Sequence, residues 1–429
     1  MMLYRNIYIL LLVTFLFLTA TACRDDKDVE FKQENEDFYD FMLDWYYWNQ
    51  EIPSINPSEY PDIYQVLEAI RFRPLDRWSN IFPYEDFIRF IQESKFIGHG
   101  FSTMRDPEGR FRVSYIFSQT DLYEAGVRRG WVIEAVNGTL SGSAANFNQL
   151  FGPNNIGVTN TIRFVKPDGS TTEITTAKKE IVMNTVLHYD ILPAENKKVA
   201  YLVLQGFNEP TLQELEEAFE YFSSVGVDEM VLDLRYNTGG ITGVARQLAS
   251  LIGGEQLREK VFVKYEYNQN KAAENNRTLF FEDTHQSALN LDRLITICGR
   301  FTASASELII TSLTPYMPVY IVGNTTYGKP MGANIFSYPG AAPKYAFAPI
   351  TFKTKNADGF GDYFDGLPAD IFAPDDLTRD FGDPEEEALK QALQLIAFGV
   401  VAKGMPSAEQ LIDQPRDQMS GLRYLIGAH

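Results

Sequence analysis

The chain has 429 residues, which is more than one ordinary domain needs, so we expect roughly two or three domains. Hydrophobic residues make up 45% of the sequence and aromatic residues 14%, a composition that can build real cores and excludes a largely disordered chain. The 57 acidic residues outnumber the 38 basic residues and give a net charge of −19. Because no stretch is rich in Lys and Arg, binding to nucleic acid, or to an anionic membrane surface through a basic patch, is disfavoured.

Residues 1–22 predict a signal peptide. Arg5 provides a positive charge near the start, and residues 7–18 form an apolar run too short to span a membrane as a helix. Small residues then lead directly to Cys23, an arrangement that resembles a bacterial lipobox, with Ala20 where leucine is commoner. The resemblance implies that Cys23 is the lipid attachment site of a bacterial cell-envelope protein, anchored at the outer membrane and facing the periplasm or the cell surface. The alternatives are an uncleaved anchor and a plain signal peptide with an incidental cysteine.

A charged segment at residues 23–37 predicts a tether that cannot bury itself. Residues 38–92 carry apolar side chains near helical spacing and predict an N-terminal helical domain. Its aromatic run at 45–48 could suggest a ligand site, but packing in a core or between domains is the preferred interpretation.

The pattern changes twice along the rest of the chain. Residues 93–180 predict short alternating strands with turns, such as the Pro-Asp-Gly turn at 167–169. Residues 185–400 alternate buried-type strands with amphipathic helices, which is typical of an α/β layer architecture. The predicted strands of this part are residues 199–204, 230–234, 294–298 and 319–322. Residues 401–429 form a C-terminal tail.

Three segments of the α/β part carry residues that suit a nucleophilic site. A serine nucleophile needs a nearby base and donors for the oxyanion. A strand runs into a Gly-Gly turn at 233–240, small residues including two serines lie at 302–307, and a turn delivers a lysine at 323–330. Each signal is weak alone. The sequence has four histidines, none of which lies beside a recognisable nucleophile motif: His99, His188, His285 and His429.

In this order the three segments resemble those of the C-terminal-processing (tail-specific) serine peptidases. In that family the nucleophile is the first serine of Ser-Ala-Ser-Glu, and the base is a lysine 25 positions later, as Lys329 is after Ser304. The resemblance implies Ser304 as nucleophile and Lys329 as general base, with the backbone N–H groups of Gly239 and Ala305 holding the oxyanion. It implies neither a metal nor another cofactor.

One position departs from the family pattern. Several members have a glutamine four residues after the lysine that orients it, but this chain has Ala333 there. Asn334 could substitute from a shifted loop, or Lys329 could be held in another way, and this third group stays open. Lys329 must also be neutral to accept a proton, which requires its pKa to fall by roughly 3 units from about 10.4 for activity near pH 7. Burial away from carboxylates would lower it.

The middle segment resembles a PDZ domain. Its carboxylate-binding loop corresponds to Gly98, His99, Gly100 and Phe101, and residues 124–138 resemble the stretch that follows, with Trp131 replacing the usual aspartate. PDZ domains bind peptide C-termini by strand addition, so the resemblance implies protein or peptide substrates selected by their tails. The alternative is a spacer whose groove is blocked.

Shorter elements extend the resemblance over residues 38 to 397, including Asp-Arg-Trp-Ser at 76–79. It implies a multidomain α/β protein with an N-terminal helical segment, a PDZ-like β domain and an α/β peptidase domain of crotonase/Clp-like layers. The expected function is a serine endopeptidase of the tail-specific type. The alternative is a weak or inactive peptidase fold that binds peptide tails, and a crotonase-like enzyme for thioesters is disfavoured by the Ser–Lys spacing.

Overall fold

The computed structural model describes residues 26–143, 147–283, 285–338 and 343–399. The predicted signal peptide, Cys23 and the tail at 401–429 lie outside these ranges. No helix within them is long and apolar enough to cross a bilayer. The helices are α1 (Asp26–Trp45), α2 (Ile63–Ile70), α3 (Tyr84–Glu93), α4 (Asp121–Glu124), α5 (Thr211–Val225), α6 (Thr242–Gly253), α7 (Ala272–Asn275), α8 (Ala305–Leu313) and α9 (Glu387–Phe398).

Strands fill most of the remaining chain. The strands are β1 (Asn80–Pro83), β2 (Lys95–Gly98), β3 (Phe101–Arg105), β4 (Phe111–Ile116), β5 (Val132–Val136), β6 (Thr139–Leu140), β7 (Thr159–Val165), β8 (Thr171–Ala177), β9 (Lys179–Val182), β10 (Val186–Ala194), β11 (Lys197–Leu204), β12 (Glu229–Asp233), β13 (Val261–Tyr267), β14 (Arg277–Phe280), β15 (Leu294–Cys298), β16 (Val319–Gly323), β17 (Met331–Ala333), β18 (Phe336–Tyr338), β19 (Tyr345–Ala348), β20 (Ile350–Lys355) and β21 (Ile371–Phe372). The mixture of helix and strand, with helices at the N-terminal end, confirms the coarse fold prediction.

The N-terminal helices begin earlier than predicted and are not a separate unit. Helix α1 starts at Asp26, inside the segment 23–37 that was predicted to be a tether. Its Glu, Gln and Lys residues are good helix formers, and Asn35 is fully buried, donating Nδ2 to the carbonyl oxygens of Pro57 (3.2 Å) and Tyr60 (2.8 Å). The prediction of a tether is therefore wrong for this helical stretch.

The apolar face of α1 packs on the C-terminal half of the chain. One buried cluster joins residues of α1 and α2 to residues beside the predicted active site; its members include Phe38, Met42, Tyr46, Ile63, Trp78, Ala303, Tyr327, Met331 and Ile350. Strand β1 also pairs with β19 in antiparallel fashion. The aromatic residues at 45–48 therefore serve packing between the N-terminal helices and the α/β part, with Trp45 against Phe336.

Residues 95–182 form a small β domain. Its main sheet is antiparallel with the strand order β3-β4-β5-β7-β8, while β2 pairs separately with β9. The predicted turn at 167–169 joins β7 to β8 and is closed by a bond from Gly169 N–H to Lys166 O. Strand β3 lies at the edge of this sheet and follows directly after the loop at residues 98–100.

The α/β part is built on a six-stranded sheet of order β10-β11-β12-β15-β16-β21. All neighbours are parallel except the edge strand β10. Helices cover both faces, with α5, α6 and α8 on one side and α9 on the other. Interior parallel strands are buried on both faces and are therefore nearly continuous apolar runs, as in β15, whose five residues are all buried and include one polar residue, Thr296.

The sheet topology brings the three predicted segments together. Segments 233–240, 299–304 and 324–330 follow the carboxyl ends of β12, β15 and β16, which are neighbours in the parallel sheet. In open α/β sheets, the loops at this edge form the crevice where ligands bind.

Candidate active site

Ser304 lies between β15 and α8, in a strained backbone conformation. It is half-buried and has φ = +56°, a value that non-glycine residues rarely adopt, at the position just before the first helical residue Ala305. Bonds from the Ala303 N–H to Asn237 O (3.1 Å) and from the Thr302 hydroxyl to Leu234 O (2.7 Å) hold the preceding loop against the segment after β12. Such strain persists only where the surroundings fix it, and it is common at active sites.

Gly239 packs directly against this serine. A Cβ atom at Gly239 would lie 2.8 Å from Ser304 Cβ and 2.9 Å from the Ala303 carbonyl oxygen, and φ of Gly239 is +103°. Only glycine fits both the contact and the backbone conformation. The Gly-Gly turn therefore serves the close approach of two loops.

The two predicted oxyanion donors differ in their hydrogen bonding. The Ala305 N–H is at the first position of α8 and has no partner within the described residues, as expected for a helix start. The Gly239 N–H instead donates to Asn237 Oδ1 (2.9 Å), and Asn237 Nδ2 is itself held by Leu204 O (3.0 Å). One predicted donor is thus open and the other is engaged in this conformation.

Glu307 joins the serine to the lysine. Its carboxylate is fully buried, and Oε2 accepts the backbone N–H groups of Ser304 (2.9 Å) and Lys329 (2.8 Å). Oε1 accepts the Thr326 hydroxyl (2.6 Å) and the Gly328 N–H (2.6 Å). Burial raises the pKa of Glu307, and these donors oppose that rise. One carboxylate oxygen therefore keeps the backbones of Ser304 and Lys329 within two hydrogen-bond lengths of each other.

Lys329 has the electrostatic character of a base. No ion pair within the described ranges involves its ammonium group, and burial lowers its pKa to about 8, against the opposing effects of Asp76 and Glu307. This lowering is what acceptance of a proton near neutral pH requires. Burial is the cause expected from the sequence, but the lysine is not away from carboxylates, since Asp76 and Glu307 both act on it.

The structure does not bring Asn334 to Lys329. The Asn334 side-chain oxygen accepts hydrogen bonds from the hydroxyl groups of Tyr267 (3.0 Å) and Thr351 (2.7 Å). The backbone N–H of Asn334 donates to Thr351 Oγ1 (2.9 Å). Within the part of the chain that the structure describes, no hydrogen bond joins it to Lys329. The contacts of Asn334 therefore give no support to it as the group that orients Lys329.

The predicted peptide-binding loop connects β2 to β3. Gly98 ends β2 and Phe101 begins β3, while His99 is buried with Nε2 2.7 Å from Asn160 Oδ1. Burial lowers the pKa of His99, which favours the neutral ring. At Gly100, φ is +80° and a Cβ atom would lie 2.3 Å from Thr120 Cγ2, so glycine is required there.

Two further groups of polar residues were assigned no role from the sequence. The first is a buried ionic network that ties Arg235 to Asp233 (2.8 Å), Asp375 (2.7 Å) and Glu386 (2.7 Å). Arg129 of the β domain joins it through Tyr236 (2.6 Å) and Asp375 (2.6 Å). Burial raises the pKa of Asp375, but the charges of Arg129 and Arg235 lower it more, so this pKa lies well below its ordinary value.

The second missed group is the contact of Asp76 and Arg77 with the lysine loop. Arg77 Nη2 donates to the Gly328 carbonyl oxygen (3.2 Å), and Asp76 acts electrostatically on Lys329. The sequence resemblance singled out residues 76–79 but gave them no role. No group of three or more His, Cys, Asp or Glu residues in the described ranges is placed to hold a metal ion.

Two models of known protein families match two segments of the chain that contribute residues to this site. The model of peptidase family S41 matches residues 198–358, which include Ser304 and Lys329, and the model of the S41 N-terminal domain matches residues 33–80. A carboxyl-terminal-processing protease of a Picosynechococcus species is 29% identical over 185 residues, 43% of this chain and 39% of that protein. A probable CtpA-like serine protease of Staphylococcus aureus is 24% identical over 299 residues, 68% of this chain and 55% of that protein. The matched part thus spans about two fifths to just over half of these relatives.

Solved structures share the fold. A candidate S41 protease from Bacteroides fragilis superposes with a TM-score of 0.70 at 22% identity, covering 85% of this chain and 97% of that one. The photosystem II D1 C-terminal processing protease gives a TM-score of 0.50 at 18% identity, covering 80% of this chain and 93% of that one. The two family models and the curated relatives agree, and they confirm the resemblance to the C-terminal-processing peptidases of family S41 that was read from the motifs.

Proposed function

We propose that the protein is a serine endopeptidase of the tail-specific type, with Ser304 as nucleophile and Lys329 as general base. The observation that carries the proposal is the shared Glu307 oxygen, which binds the backbone N–H groups of both residues. The open N–H of Ala305 supports it, because it lies one residue after the nucleophile at the start of α8, where an oxyanion would be stabilised.

The chemistry needs only these groups and water. Neutral Lys329 takes the proton of the Ser304 hydroxyl as Oγ attacks the scissile carbonyl carbon. The Ala305 N–H donates a hydrogen bond to the oxyanion. The Gly239 N–H donates a second one when its own bond to Asn237 opens or is shared. The lysine ammonium then gives its proton to the leaving amine, which leaves an acyl-enzyme ester on Ser304. Lys329 next deprotonates a water, which attacks the ester; as the ester bond breaks and the acid product leaves, the ammonium returns its proton to Ser304 Oγ and restores the starting state.

The activity is expected to rise with pH through a midpoint near 8. Burial lowers the pKa of Lys329 to about 8, so about one tenth of the lysine is neutral at pH 7 and nearly all of it is neutral at pH 10. Because only the neutral amine can act as base, kcat/KM follows that fraction. Measuring kcat/KM between pH 6 and 10 tests this, and a profile that is flat from pH 6 to 9 would contradict it.

We further propose that the β domain selects substrates by their C-termini. Its edge strand β3 follows directly after the loop at 98–100, so an added peptide strand on β3 would end at the N–H groups of that loop. This is the geometry that strand addition with carboxylate capture requires. The domain would then act as a PDZ-like module that brings tails to the peptidase.

A pair of peptides tests the function and the tail preference together. Both have one unstructured sequence, and one ends in a free carboxylate while the other ends in an amide. The wild type is expected to cleave the acid at least about tenfold more efficiently, since the amide loses a charge-assisted interaction. Ser304→Ala protein is the control and should cleave neither. Equal cleavage of both peptides would contradict tail selection but not the peptidase activity. If the wild type bound the peptide with the free carboxylate tightly and did not cleave it, the tail-binding alternative would be supported instead.

A further inference from the structure

The loop that carries Lys329 is held from the N-terminal segment. The guanidinium of Arg77 donates from Nη2 to the carbonyl oxygens of Phe364 (2.9 Å), Gly328 (3.2 Å) and Tyr327 (3.4 Å). It also stacks between two aromatic rings, with Cζ 5.0 Å from the centroid of Trp78 and 5.1 Å from that of Tyr327. A planar guanidinium suits this combined role, which an ammonium could not reproduce.

The peptide unit between Gly328 and Lys329 is therefore fixed at both of its polar atoms. Its carbonyl oxygen accepts from Arg77, and its N–H donates to Glu307 (2.8 Å). Gly328 has φ = +88°, and a Cβ atom there would lie 2.4 Å from the Phe364 carbonyl oxygen, so the turn has no free space to move. The direction in which the Lys329 side chain leaves the backbone is set by one residue of α8 and one of the N-terminal segment.

Asp76 lies beside Arg77 in a rigid turn. It is 2% exposed; Oδ1 accepts the N–H groups of Trp78 (2.9 Å) and Ser79 (2.9 Å), and Oδ2 accepts the Tyr46 hydroxyl (2.7 Å). These three donors fix the carboxylate as a buried charge. The charged groups that act on the Lys329 ammonium are Asp76 from the N-terminal segment and Glu307 from α8, and both raise the pKa of the lysine against the larger effect of burial.

We propose that Asp76 and Arg77 are positioning residues for Lys329, so that the N-terminal helical segment completes the active site. Arg77 fixes the backbone of the lysine loop through the Gly328 carbonyl oxygen, and the Asp76 carboxylate, kept in place by the turn N–H groups beside Arg77, favours the ammonium formed during the reaction. This pair takes the place of the orienting glutamine that Ala333 does not provide. The proposal rests on the proposed function, because it assigns the two residues to the proposed base.

The two residues have separable effects. Asp76→Asn removes a negative charge and disfavours the ammonium, so the midpoint of the kcat/KM profile is expected to move to lower pH by about one unit. Tyr46→Phe is the matched control: it alters the same buried cluster but keeps the Asp76 charge, so the midpoint should stay in place. Arg77→Lys keeps the charge but loses the planar guanidinium with its several donors and its contacts with the aromatic rings. For this variant kcat should fall about 10- to 100-fold, while the midpoint of the kcat/KM profile should not move.

Titration of Lys329 without catalysis separates this proposal from the proposed function. In the Ser304→Ala protein, the pH dependence of Lys329 labelling by an amine-reactive anhydride, read by mass spectrometry, reports the pKa of the lysine directly. Adding Asp76→Asn should lower that midpoint by about one unit. If the asparagine variant does not fold, Asp76→Ser is used, since its hydroxyl can still accept the turn N–H groups.

The outcomes are distinct. If the wild type had no peptidase activity but Asp76→Asn still shifted the labelling midpoint of Lys329, the proposed function would be contradicted and the link between Asp76 and Lys329 would stand. A folded Asp76 variant whose Lys329 midpoint equals that of the parent protein, or an Arg77→Lys protein with unchanged kcat, would overturn the positioning role of the residue concerned.

Discussion

Replacing Lys329 by alanine is expected to lower kcat/KM by about four orders of magnitude while leaving the free energy of unfolding close to that of the wild type. The loss is large because the proposed base and the proposed acid for the leaving group are the same amine. The stability is expected to hold because no ion pair in the described ranges involves the ammonium, and burial already opposes its charged form. Steady-state cleavage of an unstructured peptide and denaturant unfolding measure the two quantities.

Two further lysine variants make that result specific. Lys329→Arg retains a long cationic side chain, but a guanidinium stays protonated in proteins, so this variant should be as inactive as the alanine variant. Lys353→Ala is the matched control, because this lysine lies on the neighbouring strand β20 and pairs with Asp362. It should keep near wild-type activity. If the arginine variant retained a tenth of the activity, the base would have to be another group.

Much of the α/β part was predictable because its signals are local. Strand β15 is apolar except for Thr296, which indicates an interior parallel strand, and the loops after β12, β15 and β16 carry the glycine, serine and lysine. Parallel strands place such loops at one edge, so the meeting of Gly239 with Ser304 follows from the topology. The spacing between Ser304 and Lys329 then selected this serine over Ser306, whose hydroxyl donates to Asn237 O.

The rest of the site depends on contacts between distant parts of the chain. Arg77 meets Gly328 across about 250 positions, and Arg129 meets Tyr236 across about 110, so no local periodicity encodes either contact. The start of α1 was missed for a related reason. Its polar sequence resembles a solvated tether, and contacts with distant residues, such as the bonds from Asn35 to residues 57 and 60, show that the helix is anchored. The bond between Gly239 and Asn237 is likewise a conformational detail that residue types do not determine.

Glu307→Gln is expected to reduce stability and activity together. Both oxygens of this buried carboxylate accept donors: Ser304 and Lys329 N–H at Oε2, Gly328 N–H and the Thr326 hydroxyl at Oε1. In either orientation, a glutamine amide group would face two of these donors with a donor of its own. The Thr326 hydroxyl can turn to accept from the amide, so at least one buried N–H is left unpaired, which should lower the free energy of unfolding by about 1–3 kcal/mol. Displacement of the Ser304 and Lys329 backbones should lower kcat by about 100-fold.

A half-buried glutamate, Glu214, provides the control for this substitution. Glu214 accepts the Thr185 hydroxyl (2.9 Å) and the Val186 N–H (2.6 Å) on one oxygen, Oε2, so a glutamine can keep both bonds by turning its own oxygen toward them. Glu214→Gln should therefore unfold at nearly the wild-type denaturant concentration and retain full kcat. If Glu307→Gln matched it in both measurements, the carboxylate would not be what holds Ser304 and Lys329 together, and the site would have to be assembled by the Arg77 and Asn237 contacts alone. A loss of stability with kcat unchanged would separate the two roles and leave Glu307 as a purely structural residue of the loop.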